Sequence, residues 1–505
     1  MVGRLVIVGA GSSGAVIAAR VTEGTEREVL LLEAGPDYAG AALPRDLIDA
    51  GRNSMIRHDW GYRHRPTSVQ RLLFPFPRGR VVGGSSAVNT CIALRGQPYD
   101  YEEWRSRGLR EWSWEQCLPA FKRLERDLDF DDEWHGREGP LPIRRHPPEE
   151  LVVWQAAFLE ACRELGFPEC ADSNAPGSHG FGPHAMNKIE GRRISVAEAY
   201  LTPEVRRRPN LRIAPQTLVR RILFAGRKVR GVEIEREGEV QRIEADEVVL
   251  CAGAIDTPAL LLRSGIGPRE VVEAWGVELV CDSRAVGARL LDHPGVAIFL
   301  RPRFGSGTDR RAPLIQTVLR YGSTGSSRDN DMILQPGSKV NLPRVDLPLV
   351  SLMCSVGKPR GVGRLSWSSA LPRSRPTIES LLLEDPEDRR KAVEAMALAH
   401  ELSQTRALRA LARLLWPRPR TFSERSRIDG WIRRSCDSGY HPCGTVPMGA
   451  DDDPHAATDG RGRVRGVEGL RVADASLMPT IPSANTNLTV IMMGERFGEW
   501  LRGAG

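Results

Sequence analysis

Gly9, Gly11 and Gly14 stand at the spacing of a turn that can receive a diphosphate, and Glu33 follows nineteen residues after Gly14. Each glycine has its own reason: Gly9 for a tight turn, Gly11 for close approach of the diphosphate to the backbone, Gly14 for packing a helix against a strand. Ser12 and Ser13 sit on the same loop. The Glu33 carboxylate is placed to accept hydrogen bonds from an adenosine ribose, and its charge would repel a 2′-phosphate, which argues against NADP. The elements that must position these residues surround them. Val2 to Val8 is an apolar run of strand length, Ala15 to Arg20 reads as a helix, and Glu28 to Leu32 reads as a second strand ending on Glu33. Together they predict a βαβ unit, with the diphosphate on the free N–H groups at the positive end of the helix.

The whole chain sets limits on the chemistry. Its 505 residues exceed one ordinary domain, so two or more substructures around a large core are expected. A 41% hydrophobic and 27% charged composition is that of a globular protein. No apolar run approaches the ~18 residues of a membrane span. No signal-peptide pattern precedes the first strand, so the sequence predicts a cytoplasmic protein without an integral membrane segment. Nine cysteines without a C-x-x-C pair argue against a disulfide framework and against a zinc knuckle, so no metal site is expected. The net charge of +7 rests on arginine, since only six lysines occur, and those arginines alternate with acids. That pattern reads as solvated faces and excludes nucleic-acid binding.

Further along, Arg78 to Gly96 carries glycines at 83 and 84 followed by small hydroxyl residues, a loop suited to a second close approach of backbone to cofactor. Residues 99–127 and about 151–165 read as helical, and 211–250 as short strands. The strand 247–250 leads into Gly253 and a helix for which Thr257 and Pro258 are the predicted cap and first turn. Alternation over 296–380 suggests an antiparallel sheet, followed by a helical block at 387–415. In the tail, His441 to Gly449, Leu470 to Pro479, and Asn485 to Asn487 ahead of an apolar helix are the segments that carry chemistry.

Taken together, Gly9–Gly14 with Glu33, Arg78–Asn89, Gly253–Gly267, and His441–Gly449 with Asp474 to Asn487 resemble the glucose–methanol–choline (GMC) oxidoreductases, in the right order and separation along the whole chain. The resemblance implies a mixed α/β fold: a Rossmann-like FAD-binding domain with a second, substrate domain built on an antiparallel sheet backed by helices. The FAD domain would take residues 1–150, 190–295 and 436–505, and the substrate domain 151–189 and 296–435. It implies FAD as cofactor, contacted by Gly9, Gly11, Ser12, Ser13, Gly14, Glu33 and Ala34, by Arg80, Val82, Gly84, Ser85 and Asn89, by Val219 and Gly253, and by Asp474, Ala475 and Asn487. Members with attached flavin can carry a histidine directly before the asparagine of the second stretch. Here Val88 stands before Asn89, so the FAD is expected to be non-covalent. A second departure is Arg289, where the family has an asparagine ahead of Asp292-His293-Pro294.

By position His441 matches the active-site histidine of that family and Asn485 its partner. The implied reaction is FAD-dependent oxidation of a primary or secondary alcohol to an aldehyde or ketone. His441 would take the hydroxyl proton, Asn485 would hold the oxygen, and the hydride would go to flavin N5, with O2 or a quinone or carrier as final acceptor. Asn485 could instead cap the helix that follows. His58, His64, His179, His184 and His293 read as core or surface residues. Two other classes stay open: a non-oxidative flavoenzyme of hydroxynitrile lyase or photodecarboxylase type, and a protein that keeps FAD structurally. Which alcohol is oxidised lies in the least recognisable stretch, 296–435.

Overall fold

A computed structural model describes residues 3–39, 43–309, 312–342 and 344–503. Its first layer is a five-stranded parallel sheet made of β1 (Leu5–Val8), β2 (Val29–Leu32), β3 (Leu211–Ala214), β4 (Glu247–Leu250) and β5 (Leu470–Val472). The order is β3-β2-β1-β4-β5, with Leu5 facing Val29 on one side and Glu247 on the other. Parallel strands buried on both faces read as continuous apolar runs, and every side chain of β1 and β2 is buried. The expected first strand begins at Leu5; Val2 lies outside the described residues. The short strand at 211 joins this parallel sheet as its edge, while Thr217–Ala225, Lys228–Arg236 and Glu239–Glu244 form a separate three-stranded antiparallel sheet.

Helix α1 (Gly14–Val21) follows β1, and α3 (Thr486–Arg502) lies along it. Glycine allows that contact: a Cβ on Gly494 would lie 3.0 Å from Val16 Cβ, and one on Gly498 2.6 Å from Arg20 Cβ. Arg20 pairs at 2.9 Å with Glu495, a fully buried carboxylate on α3.

The helix after β4 departs from expectation. Helix α2 spans Gly253–Arg263, so Thr257 and Pro258 lie inside it rather than at its start. Pro258 has no N–H for the carbonyl four residues back. That carbonyl, of Ala254, accepts from the Thr445 hydroxyl instead, at 2.7 Å. Thr257 is held elsewhere, donating at 2.6 Å to Asp474.

The second layer is a seven-stranded sheet in which Pro294–Pro302, Thr317–Tyr321, Met332–Gly337 and Val350–Val356 are joined by Gly180–Pro183 and Ala412–Trp416. All its pairings are antiparallel, and Asp437–Ser438 adds a short seventh strand beside Pro294. Helices Val153–Glu164 and Pro386–Gln404 back it, enclosing a second core around Phe158, Met396, Leu334 and Leu352. Residues 412–415, expected to be helical, form the edge strand, where Arg413 pairs with Arg301 and Leu414 with Leu300. Arg364–Ser366 and Thr377–Glu379 leave the large sheet for a small one with Arg63–Arg65 and Phe74–Pro75. No helix among the described residues is long and apolar enough to cross a membrane.

Candidate active site

A cleft opens at the carboxyl ends of β1, β2, β4 and β5, where ligands bind in open α/β sheets. Of the predicted cofactor residues, Gly9, Gly11, Ser12, Ser13, Glu33, Ala34, Gly84, Ser85, Asn89, Val219, Gly253, Asp474, Ala475 and Asn487 line it, together with His441 and Asn485. Gly14, Arg80 and Val82 stand behind its wall. Gly14 packs so closely that a Cβ would lie 1.9 Å from the Gly9 carbonyl oxygen. The Val82 amide donates to Pro36, and the Arg80 guanidinium lies 5.0 Å over the ring of Trp60.

Gly9 takes φ +101°, and a Cβ there would meet the Cys251 carbonyl oxygen at 2.4 Å. Gly11 and Gly84 bring two loops together, since a Cβ on Gly84 would lie 2.7 Å from the Gly11 Cα. Glu33 accepts from the amides of Ala10 at 3.0 Å and Gly35 at 2.8 Å, and burial pushes its pKa up to about 7. Asp474 accepts from Gly253 N, Thr257, and the amide and hydroxyl of Ser476, so it fastens the turn after β4 to the turn after β5. The Ser12 hydroxyl donates to Asn487 at 2.7 Å and joins the starts of α1 and α3 at one point. Two positive helix ends therefore meet at the cleft. The cleft fits a dinucleotide on several counts: the Gly11–Gly84 approach, the unfilled space in front of Gly253, and Asn53 Oδ1, a buried oxygen in its wall that has no protein donor.

At the other end of the cleft two histidines face each other. His293 directly precedes the strand Pro294–Pro302, and Asp437–Ser438 pairs with that strand just before the chain turns to His441. The Gly439 amide donates to His293 O at 2.8 Å, and His441 N donates to Asp292 Oδ1 at 2.9 Å. The rings meet with 2.9 Å between the two Nδ1 atoms. Their hydrogens follow from what surrounds them. His293 Nε2 lies 3.0 Å from the carbonyl oxygens of Gly357 and of Pro482, and carbonyls only accept, so Nε2 carries the hydrogen. Burial pushes the His293 pKa down to about 4, so the ring is neutral and its Nδ1 is a bare acceptor. His441 Nδ1 must then donate, which leaves His441 Nε2 unprotonated. Asn485 Nδ2 lies 3.0 Å from that nitrogen and donates to it. Burial first, then the nearby His293 and Arg78, hold the His441 pKa well below its ordinary value.

Asn485 occupies the position before α3, but its side chain makes no cap there and points to His441. His293, read from the sequence as an unexceptional histidine, is the partner of His441, and only the pairing of strands brings the two together. Arg289 also gains a role: it donates to Gly444 O at 2.8 Å and to Met478 O and Pro479 O at 3.2 and 3.0 Å, tying the loop of His441 to the loop of Asn485. Arg78 was missed as well. Its guanidinium lines the cleft, donates to Tyr440 O at 2.7 Å, and pairs with no carboxylate among the described residues. Outside the cleft, Glu125, Asp127 and His135 have metal-ligand types, but Arg95 and Arg145 already hold the two carboxylates.

The family models for the N- and C-terminal parts of GMC oxidoreductases match residues 4–295 and 359–494. A 5-(hydroxymethyl)furfural oxidase of Methylovorus is 33% identical over 98% of this chain and 97% of its own. An oxygen-dependent choline dehydrogenase of Chromohalobacter salexigens is 34% identical over 99% of this chain and 94% of its own. Among solved structures, pyridoxine 4-oxidase from Mesorbium loti superimposes with a TM-score of 0.90 at 31% identity, covering 98% of each chain.

Proposed function

The chain belongs to the GMC oxidoreductases, FAD-dependent enzymes, and we propose on that footing that it oxidises a primary or secondary alcohol to an aldehyde or ketone. The observation that carries this reading is the bare Nε2 of His441, directed into the cleft beside Asn485. Bound FAD supplies the hydride acceptor, at flavin N5. The residues named for the nucleotide end would hold it: the Gly9–Gly14 loop and the joined starts of α1 and α3 at the diphosphate, and Glu33 toward the ribose.

The chain's own residues handle the proton. When the alcohol enters, the Asn485 Nδ2–H passes from His441 Nε2 to the substrate oxygen and keeps it within reach, and Nε2 then accepts the hydroxyl proton. The imidazolium that forms keeps its Nδ1–H on His293, whose bare nitrogen stabilises the new charge. His293 passes nothing on, because its own N–H is committed to two carbonyls. The five segments 1–150, 151–189, 190–295, 296–435 and 436–505 divide between nucleotide and substrate parts. That division is supported by two separate cores, one around the parallel sheet and one around the antiparallel sheet.

The test is anaerobic reduction by a panel of alcohols. His441→Ala should keep FAD and fold, yet lose ~10²–10⁴ of the reduction rate. Because the His441 pKa is depressed, the neutral base predominates above the ordinary 6.5. The wild-type rate should therefore stay flat down through pH 6.5 and fall only well below it, with that acid limb absent in His441→Ala. A variant that reduces at the wild-type rate, or keeps the limb, removes His441 as the base. A flavin that no alcohol bleaches points to non-oxidative chemistry, and reoxidation by O2 against a quinone identifies the acceptor.

A further inference from the structure

The stretch from Met478 to Ser483, just ahead of Asn485, belongs to no strand or helix, yet none of its carbonyls is left without a donor. Arg289 takes Met478 O and Pro479 O, and Trp104 Nε1 takes Thr480 O at 3.1 Å. Lys358 Nζ takes Ile481 O at 2.7 Å, His293 takes Pro482 O, and Arg320 takes Ser483 O at 3.0 Å. Six successive carbonyls are fastened by five side chains from distant parts of the chain.

Lys358 is the member with most to say about the reaction. We propose that Lys358 is a positioning residue for the His441 base: it carries Gly357 as its chain neighbour and grips Ile481, so that Gly357 O and Pro482 O both close on the same N–H of His293. This rests on the reading of His441 as the base. Those two oxygens fix His293 in its Nε2–H form, and through it keep His441 Nε2 free to accept. With both oxygens drawn off, nothing holds the hydrogen on His293 Nε2 and it can move to Nδ1; His441 would then be left protonated on Nε2, a donor where a base is needed.

The geometry around the ammonium supports the role. Lys358 is buried, 3.0 Å from Asp100 Oδ1 and 2.9 Å from Glu103. Asp100 is fully buried, and its other oxygen accepts from the amide and hydroxyl of Ser483 at 2.9 and 2.7 Å. The pair thus holds the strap at Ile481 and at Ser483, on either side of the carbonyl that His293 uses. The Lys358 charge also opposes protonation of His293. Lys358 does not line the cleft, so it acts through His293 and not on the alcohol.

Lys358→Met should reduce with alcohol about 10- to 100-fold more slowly at saturation, part of the ~10²–10⁴ that a general base supplies. The apparent affinity for the alcohol should change less than about threefold, since nothing that touches substrate is altered. Its acid limb, set by His441 together with the His293 it touches, should move to higher pH, because the charge that disfavours a proton on His293 is gone. Lys358→Arg, which keeps cation and donor, should return the rate to within about threefold of wild type and leave the limb in place. Lys358→Met leaves the buried Asp100 without its cation, whereas Glu103 keeps Arg107 and Arg328; the second variant, Asp100→Asn/Lys358→Met, removes one charge of each sign and should give the same rate loss. Histidine-selective 15N spectra of the wild-type holoenzyme need no variant and should show one Nε2–H and one Nδ1–H ring in contact.

The opposite tautomers, or a flavin-loaded variant with wild-type rate and limb, would overturn the proposal. If His441→Ala also reduces normally, the reading of the base falls with it; if only the Lys358 variants do so, the positioning role alone falls.

Discussion

His441 Nε2 stays available only while His441 Nδ1 keeps its hydrogen, and a neighbour distant in the chain decides that. The residue types at the nucleotide end were legible because their spacing is local: three glycines and an acid within twenty-five residues already imply a turn between two strands. His441 and Asn485 were legible only by resemblance, and His293 not at all, since 148 residues separate it from its partner. At this same scale Val88 makes a prediction. It is buried against Leu47, Val81 and Ala87 and lines the cleft, and a valine offers no nucleophile to a flavin ring. The purified protein should be yellow and should release all its FAD to the supernatant on acid precipitation. Colour that stays in the pellet would mean a covalent bond through another residue.

Among the elements, the strands were readable where one pattern held: continuous apolar runs for the parallel sheet, alternation for the antiparallel one. The misreadings came where a tertiary contact outweighed a local signal. Pro258 has the look of a helix start, yet the helix begins five residues earlier because Thr445 supplies the donor that proline lacks. Residues 412–415 carry helical composition but lie beside Pro294–Pro302, whose open edge accepts a strand. The Thr445 contact is testable. Thr445→Val keeps the shape and leaves the Ala254 carbonyl buried without a donor, at a cost of about 1–3 kcal/mol. Urea unfolding should show the loss as a lower midpoint with an unchanged slope, and an unchanged midpoint would mean that α2 tolerates the break.

Over the whole molecule, buried neutral histidines set a limit in acid. Burial pushes His146 and His293 down to about 4 and His184 to about 3. The unfolded chain would bind these protons from about pH 6.5 downward, whereas the folded one resists until near pH 4 or below. Their stabilising contribution is therefore complete above pH 6.5 and is lost as pH falls toward 4, by up to ~1.4 kcal/mol per pH unit for each fully buried ring. The urea midpoint should fall between pH 6.5 and 4.5, with the buried Glu33 carboxyl, held up to about 7, offsetting the loss from about one of the three rings. A midpoint that ignores this range would mean that these rings are solvated. The parallel sheet has a further consequence, for the order of events in the cell. Strand β5 and helix α3 come from residues 470–502, yet β5 extends the sheet begun at Leu5 and α3 lies on α1. At ~5–20 residues per second, a ribosome needs on the order of half a minute or more to bridge that interval. During that time the glycine loop has no Asn487 beside it, so the nascent chain cannot present a finished nucleotide site, and cofactor capture waits until residues 470–502 have been made.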